Sequence, residues 1–245
     1  MGRQIPFQVT MSEQSFYGLR EVSCVLTGVS INVPLKTLLD VLFIHQPRLT
    51  GWPPWVDSRS FSDAGSRPYV KDRGWEALIY DKRTRWSVKE MDFWRIEPTG
   101  RFYAARTYED DTSKMLLDRG VKPGTVFDFV LLISRTAELI ATVRAFVDAL
   151  KADRNKALLE FAFRWTGLRG RKICCWVEPM RELFSSVTAE DDVVTSTITI
   201  PQEAPDNTLW EAVKRVTQPV FDVFGAGVGD PVFEDLVDRT LKRRL

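Results

Sequence analysis

Two consecutive prolines, Pro53 and Pro54, restrict the possible folds of this chain more than any other feature of its sequence. Neither a helix interior nor a central β-strand accepts such a pair, because proline lacks an amide donor and fixes φ. They lie within residues 46–75, a segment rich in proline, glycine, serine, tryptophan and arginine. The segment is therefore predicted to be an irregular loop. A loop of this length is unusual in a compact domain unless it packs its own aromatic side chains or has a function.

Helical spacing of apolar residues predicts helices outside this loop. Leucine and phenylalanine recur at i, i+3, i+4, i+7 and i+8 over residues 34–45, with Pro34 in the first turn. A second helix is predicted over residues 135–150, with Ser134 able to cap it. Residues 12–29 are interpreted as a further helix, although their glycine and β-branched residues oppose it.

Runs of β-branched and aromatic residues predict strands. The clearest hairpin joins residues 93–96 and 101–108 through a turn with proline early and glycine at its end. A second hairpin is expected where residues 158–166, with three aromatic side chains on one face, turn back into residues 171–178. The remaining strands are expected at residues 75–80, 126–133 and 193–200.

The order of these elements predicts the fold class. A strand, a helix and a strand between residues 126 and 166 are compatible with a βαβ unit, whereas the two hairpins indicate antiparallel pairing. The chain is therefore predicted to be α+β, with a mixed or mainly antiparallel sheet and packed helices. Residues 1–204 are predicted to form the α+β domain. Residues 205–245 are predicted to form a C-terminal helical pair packed on it, which begins at a capping box of Thr208 and Glu211.

The composition limits which cellular compartment and which classes of binding partner are expected. The 34 basic and 33 acidic residues leave a net charge of +1, so the global basic signature of a dedicated nucleic-acid binder is missing, although a local basic face remains possible. Three cysteines without a disulfide spacing are typical of a reducing cytosol. No window has the length and apolar character of a signal-peptide core or a membrane span. The chain is therefore expected to be cytoplasmic, without membrane contact.

Few catalytic arrangements are available. The single histidine, His45, leaves Cys24–His45 as the one possible Cys/His pair, and a buried thiol with a helix-end imidazole is the favoured interpretation. The cysteines and the histidine lack zinc-binding spacing, and no Asp/Glu-X-Lys triplet of the restriction-nuclease type occurs. The acidic runs at residues 109–111 and 190–192 are interpreted as solvated turns, and the glycines at residues 225–229 as a helix connection. No metal, cofactor or catalytic residue is predicted, and a non-catalytic protein is favoured.

Arginines interleaved with aromatic residues are the remaining candidates for function. Such sets stack bases and neutralise phosphates, and the same residue types dominate protein-interface hot spots. They also occur where tryptophans fill a core and alternate arginines face water. The irregular loop at residues 51–59 is the segment most expected to bind, because its backbone cannot be regular. The candidate binding residues are Trp52, Trp55, Arg59, Trp94, Arg95, Arg106, Arg164, Arg169 and Arg171.

Four motifs carry a resemblance to a known family. They are Gly51-Trp52-Pro53-Pro54-Trp55, then Asp92-Phe93-Trp94-Arg95 with Pro98-Thr99-Gly100-Arg101, Lys122-Pro123-Gly124-Thr125-Val126-Phe127-Asp128, and Arg164-Trp165-Thr166-Gly167-Leu168-Arg169-Gly170-Arg171. Over about residues 45–175 the chain resembles the C-terminal region of bacterial proteins whose N-terminal half is a Schlafen-type, Alba-like nucleic-acid-binding domain. The resemblance implies that catalytic or nucleic-acid chemistry belongs to that N-terminal domain, which has no recognisable counterpart here. The chain would then be an accessory or sensing module.

Three hypotheses follow. The leading one is a non-catalytic interaction or sensing module of a bacterial regulatory or antiviral-defence protein, which binds a protein partner, a sister subunit or a second copy of itself. The alternative is a nucleic-acid-binding accessory domain that uses the arginine and aromatic clusters. The third is an enzyme that uses the acidic runs and a divalent ion.

Overall fold

The structure, a computed structural model, describes residues 17–81, 90–181, 183 and 187–242. These residues form an α+β fold with a mainly antiparallel sheet, as predicted. The strands are β1 (Leu19–Thr27), β2 (Tyr69–Lys71), β3 (Gly74–Asp81), β4 (Glu90–Glu97), β5 (Arg101–Thr107), β6 (Val126–Asp128), β7 (Leu158–Thr166), β8 (Lys172–Cys174) and β9 (Val193–Pro201). The helices are α1 (Leu35–His45), α2 (Glu109–Thr112), α3 (Lys114–Asp118), α4 (Phe129–Ala149), α5 (Leu209–Val223) and α6 (Asp230–Leu241).

Seven strands form the main sheet in the order β2-β3-β4-β5-β1-β7-β9. Every neighbouring pair in it is antiparallel, and β6 and β8 form a separate parallel pair. The β4–β5 hairpin has the predicted turn, in which Gly100 adopts a positive φ of 78°. Because successive side chains alternate between the faces, one face of the sheet carries the core residues and packs on helices. At its centre, the ring of Phe102 from β5 meets that of Phe146 from α4 edge-on at 5.4 Å.

The first described strand corrects the helix predicted over residues 12–29. Residues 19–27 form β1, and residues 12–16 lie outside the described residues. Every second side chain of β1 is buried, namely those of Val22, Cys24 and Leu26. This period of two, together with β-branched residues, overrides the helical spacing because β5 and β7 pair with the strand on both sides.

Two predictions around residue 128 were wrong. The expected strand at residues 126–133 ends at Asp128, and α4 begins at Phe129 rather than at residue 135. Asp128, and not Ser134, caps the helix: its Oδ1 accepts hydrogen bonds from the amides of Val130 at 2.8 Å and Leu131 at 3.0 Å. The apolar run is therefore the buried first turns of a helix, which periodicity does not distinguish from a buried strand.

The second predicted hairpin was also wrong. β7 pairs with β1 and β9, whereas β8 leaves the main sheet and pairs with β6 in parallel. Gly167 and Gly170 both adopt positive φ, which turns the chain away from β7. β6 and β7 belong to different sheets, so the βαβ alternative is corrected as well.

The C-terminal helices share one hydrophobic cluster with the sheet and α4. Buried residues on both sides of the predicted boundary at residue 204, such as Phe161 and Phe233, belong to it. The expected capping box is absent: the Thr208 hydroxyl donates to the carbonyl of Pro205 at 2.8 Å and makes no bond to the first turn of α5.

Candidate functional site

The loop at residues 51–59 has a buried half and an exposed half. Trp55 is only 2% exposed, and its ring packs against Phe102 at 5.8 Å and Phe146 at 6.2 Å. The side-chain amide of Gln46 holds the Trp55 backbone from both directions, with its Nε2 donating to the carbonyl at 2.9 Å and its Oε1 accepting from the amide at 3.1 Å. The loop is thus fixed to the core through Trp55.

Trp52 lies on the other side of the two prolines and is 43% exposed. Its indole Nε1 donates to Oδ2 of Asp92, a buried residue of β4, at 3.0 Å. Arg106 of β5 donates to the same oxygen at 2.6 Å and to the carbonyls of Trp52 at 3.3 Å and Pro53 at 2.7 Å. One guanidinium therefore fixes both the backbone and the ring position of an exposed tryptophan.

Beneath Trp52 lies a group of charged side chains that we call the charge cluster. It consists of Arg20, Asp92, Arg106, Glu109, Arg135 and Glu138. It balances three guanidinium groups against three carboxylates, although the register of β1 and β5 places two of its arginines directly opposite each other. A cavity of about 20 Å³ within it is large enough for a single water molecule and too small for a ligand.

Electrostatics in the charge cluster follow burial and the neighbouring guanidinium groups. Burial lowers the pKa of Arg20 and raises that of Asp92, in the second case against the attraction of Arg106. Burial alone would raise the pKa of Glu109, but the charges of Arg135, Arg20 and Arg106 outweigh it and lower the pKa to about 2. The carboxylates of this cluster therefore serve to neutralise arginines, and the low pKa of Glu109 keeps that group ionised at neutral pH.

The charge cluster also holds Thr50, the residue just before the loop. Thr50 donates to Oε1 of Glu138 from its amide at 3.0 Å and from its hydroxyl at 2.6 Å. Arg135 donates to the Thr50 hydroxyl and, at 2.9 Å, to Oε2 of Glu138. α4 and the sheet thus hold the loop on both sides of Trp52, and the arrangement acts as a support for that ring.

The other candidate arginines of the central strands and turns are internal ties. Arg95 is buried and pairs with Glu76 and, at 2.8 Å, with Glu97. Arg171 is 0% exposed and binds both carboxylate oxygens of Asp111, at 2.9 and 2.7 Å. Such bidentate pairs leave no donor available to a phosphate group.

Three candidate arginines reach the surface, and each has a partner. Arg59 bonds Asp57 at 2.8 and 2.7 Å and lies over the ring of Phe43. Arg164 pairs with Glu21 at 2.7 Å. Arg169 donates to the carbonyl of Glu190 at 3.0 Å.

The structure brings only two of the nine candidates together around one feature, Trp52 and Arg106 at Asp92. Trp94 is a core residue whose Nε1 donates to the carbonyl of Val56 at 3.2 Å. Trp55, Trp94, Arg95, Arg106 and Arg171 are enclosed by the fold, so a partner cannot contact their side chains directly. Of the remaining candidates, Trp52, Arg59 and Arg169 are exposed and Arg164 is half-buried.

The acidic run at residues 109–111 is not the solvated turn that was expected. Asp110 and Asp111 are buried, and Oδ1 of Asp110 accepts from the amide of Asp128 and from Nε1 of Trp176, both at 2.8 Å. Burial, followed by the nearby charges of Asp128 and Glu109, raises the pKa of Asp110 to about 7 against the Trp176 hydrogen bond. This buried acidic group was not predicted from the sequence. The one sequence feature that points to it is Asp128, an aspartate of the type that caps helices, directly before the apolar run that forms α4. The second acidic run, residues 190–192, is exposed as expected.

The thiols and the histidine do not form a catalytic set. Cys24 is buried in the sheet, where burial raises its pKa well above the ordinary value, whereas His45 is exposed at the end of α1. Burial also raises the pKa of Cys174 to about 12 and that of Cys175 to about 11, so both remain thiols at neutral pH. Within the described segments, no three His, Cys, Asp or Glu side chains are grouped so as to hold a metal ion.

No protein-family model, curated protein or solved structure matches this chain. Among the described helices, none combines the length and apolar character needed to cross a bilayer.

Proposed function

We propose that this chain is a non-catalytic interaction module that binds a protein partner or sister subunit through Trp52. The resemblance to the C-terminal region of Schlafen-type bacterial proteins extends the proposal to a regulatory or defence-type protein of bacteria. Three free cysteines suit the reducing cytoplasm that this assignment requires.

The observation that carries the proposal is the fixed exposure of Trp52. The ring is 43% exposed, yet Asp92 and Arg106 hold it from below. An aromatic ring held in place before binding loses little conformational entropy when a partner covers it. Tryptophan is also among the residues most enriched in interface hot spots.

The pairing of the arginines favours this function over nucleic-acid binding. Phosphate recognition requires guanidinium or ammonium groups that are free to replace counterions. Arg95, Arg106 and Arg171 are instead buried against carboxylates. Arg59, which is exposed, and Arg164, which is half-buried, are also paired with acids.

The test is to isolate a partner from a lysate of the source cells with the intact chain, purify it, and measure its Kd for variants. Trp52→Ala is expected to weaken binding by about 30-fold or more, the loss typical of a hot-spot residue. Trp52→Phe keeps an aromatic ring but loses the indole donor, and its Kd is expected to lie between those of the intact chain and Trp52→Ala. Tyr69→Ala removes an aromatic side chain of similar exposure from the distant strand β2 and is expected to leave Kd unchanged.

Two results would contradict the proposal. One is a Kd that Trp52→Ala leaves unchanged while the variant keeps its far-ultraviolet circular dichroism. The other is recovery of nucleic acid alone, in a form that salt strips from the chain.

A further inference from the structure

β9 is the last strand of the main sheet, and one of its edges has no neighbouring strand among the described residues. Within the described residues, β7 is the one strand that pairs with it. Its sequence, Val-Val-Thr-Ser-Thr-Ile-Thr-Ile-Pro, contains no charged residue, no glycine and no proline before its last position. Long uncharged edges of this kind are templates for pairing with another strand.

The backbone register shows which groups point outward. Gln202, just beyond β9, donates its amide to the carbonyl of Ala157 on the β7 side at 3.0 Å. Because hydrogen-bonding direction alternates along an antiparallel strand, the even-numbered residues of β9 also bond to β7. The odd-numbered residues therefore turn their amides and carbonyls to the open edge. They are Val193, Thr195, Thr197, Thr199 and Pro201, all with exposed side chains.

The opposite edge of the sheet is built differently. β2 has only three residues, one of which is Lys71, and it runs into a turn in which Asp72 and Arg73 both adopt positive φ. A short strand with charges beside it is a usual protection against edge pairing. β9 has nine residues, no charged residue within it and no positive-φ turn beside it, so its only charges are those of the flanking acidic residues 190–192 and Glu203.

We propose that β9 pairs antiparallel with β9 of a second copy of this chain, about a twofold axis through Thr197. In this register, Thr197 exchanges both hydrogen bonds with its symmetry mate, and Thr195 does so with Thr199 of the partner subunit. Pro201, which has no amide hydrogen, lies opposite Val193 of the partner subunit at the end of the strand pair, so the one missing hydrogen bond does not interrupt the ladder. All outward amides of both strands are then satisfied, and the two sheets become one.

The side chains fit this register on both faces. On the outer face threonine meets threonine, a favourable cross-strand pair, and no like charges meet within the strand itself. Just beyond both ends the register brings Asp191 near Glu203 of the partner subunit, and because both side chains are exposed to solvent their repulsion is screened.

On the helix face a groove of about 140 Å³ runs beside Ile198 and Ile200, with Leu209 and Ala212 of α5 along it and the charged residues Arg144, Glu211 and Arg215 also in its lining. The register places the small side chains of Ser196 and Val194 of the partner subunit against these isoleucines. A strand with bulkier residues there would not enter so small a groove.

This dimer is independent of the function proposed for Trp52. Trp52 lies over β4 and β5, and β1 and β7 separate these strands from β9. A Trp52→Ala variant is therefore expected to keep the mass of the dimer. Failure of one proposal would thus leave the other standing.

The test is light scattering coupled to size-exclusion chromatography on the full chain over a range of concentrations. The intact chain is expected to show twice the 28.1 kDa of one copy. Thr197→Lys places like charges on the axis and is expected to weaken dimerisation by about tenfold or more. The double variant Thr195→Lys/Thr199→Glu places opposite charges across the axis and is expected to dimerise. Val70→Lys on the β2 edge is the matched control and is expected to leave the mass unchanged.

Hydrogen exchange provides a second measurement that does not depend on how the variants fold. The amides of Thr195, Thr197 and Thr199 are expected to exchange more slowly as concentration rises. A chain that remains a monomer at all concentrations overturns the proposal. A monomer in which these amides are nevertheless protected also overturns it, because a strand other than a second β9 would then cover the edge.

Discussion

At the scale of single residues, buried ion pairs determine where the arginines point. Arg171 binds both oxygens of Asp111, donates to the carbonyls of Gly167 and Val126, and lies 4.9 Å from the ring of Tyr108. The side chain thus ties α2, β6 and the turn after β7 to one another. Removing a partner from such a pair leaves an uncompensated charge in the interior.

We therefore predict that Arg171→Ala destabilises the protein by about 3–5 kcal/mol. The matched control is Arg169→Ala, two positions away, where the side chain is exposed and the change is expected to stay within about 0.5 kcal/mol. Urea unfolding followed by tryptophan fluorescence measures both. Equal losses in the two variants would show that the Asp111 pair adds nothing to the free energy of unfolding.

The sequence could show the types of these residues but not their partners. Arg171 and Asp111 are 60 positions apart, and Arg106 meets the loop backbone 53 positions away at Pro53. No local pattern links such positions, because the contacts depend on strand order. The alternation of aromatic and basic residues was therefore compatible with a binding face, a core, or both. The two prolines exclude a regular backbone for the whole loop at residues 51–59, but they do not indicate that Trp52 is exposed and Trp55 buried.

At the scale of elements, local signals predicted well and distant pairing did not. α1 and the β4–β5 hairpin have the predicted positions because spacing and turn residues specify them within a few positions. β1 was missed because its strand character depends on β5 and β7, which lie far along the chain. β8 was assigned to the wrong partner for the same reason. The free edge of β9 likewise follows from strand order and has no signal in the sequence.

The start of α4 gives a direct test at this scale. Asp128→Ala removes the acceptor for Val130 and Leu131 and also for the amides of Trp176 at 2.6 Å and Val177 at 3.0 Å. Because these donors would be left in a buried environment, we predict a loss of more than about 2 kcal/mol. Ser134, at the cap position expected from the sequence, is buried and its hydroxyl makes no hydrogen bond, so Ser134→Ala is predicted not to destabilise the protein. Thermal unfolding of the two variants distinguishes the observed cap from the expected one, and a larger loss for Ser134→Ala would reverse the assignment.

At the scale of the whole molecule, the segment around residue 204 is tied to the core. Arg144 of α4 donates to the carbonyl of Ala204 and, at 2.9 Å, to the carboxylate of Asp206. Gln202 returns a bond from its Nε2 to the carbonyl of Arg144 at 2.9 Å. The connection between β9 and α5 is thus held against α4 by side chains from both segments.

We predict that the chain unfolds in one transition, because α5 and α6 share their hydrophobic cluster with α4 and the sheet. Phe233 of α6 is fully buried, with its ring 5.8 Å from that of Phe221 of α5. Phe233→Ala is expected to destabilise the protein by about 3–5 kcal/mol and Glu234→Ala, its exposed neighbour, by less than about 0.5 kcal/mol. Urea curves from tryptophan fluorescence and far-ultraviolet circular dichroism are expected to coincide in each variant. An early separate transition in Phe233→Ala, with the rest unfolding at the original midpoint, would mean that residues 205–245 form a unit of their own.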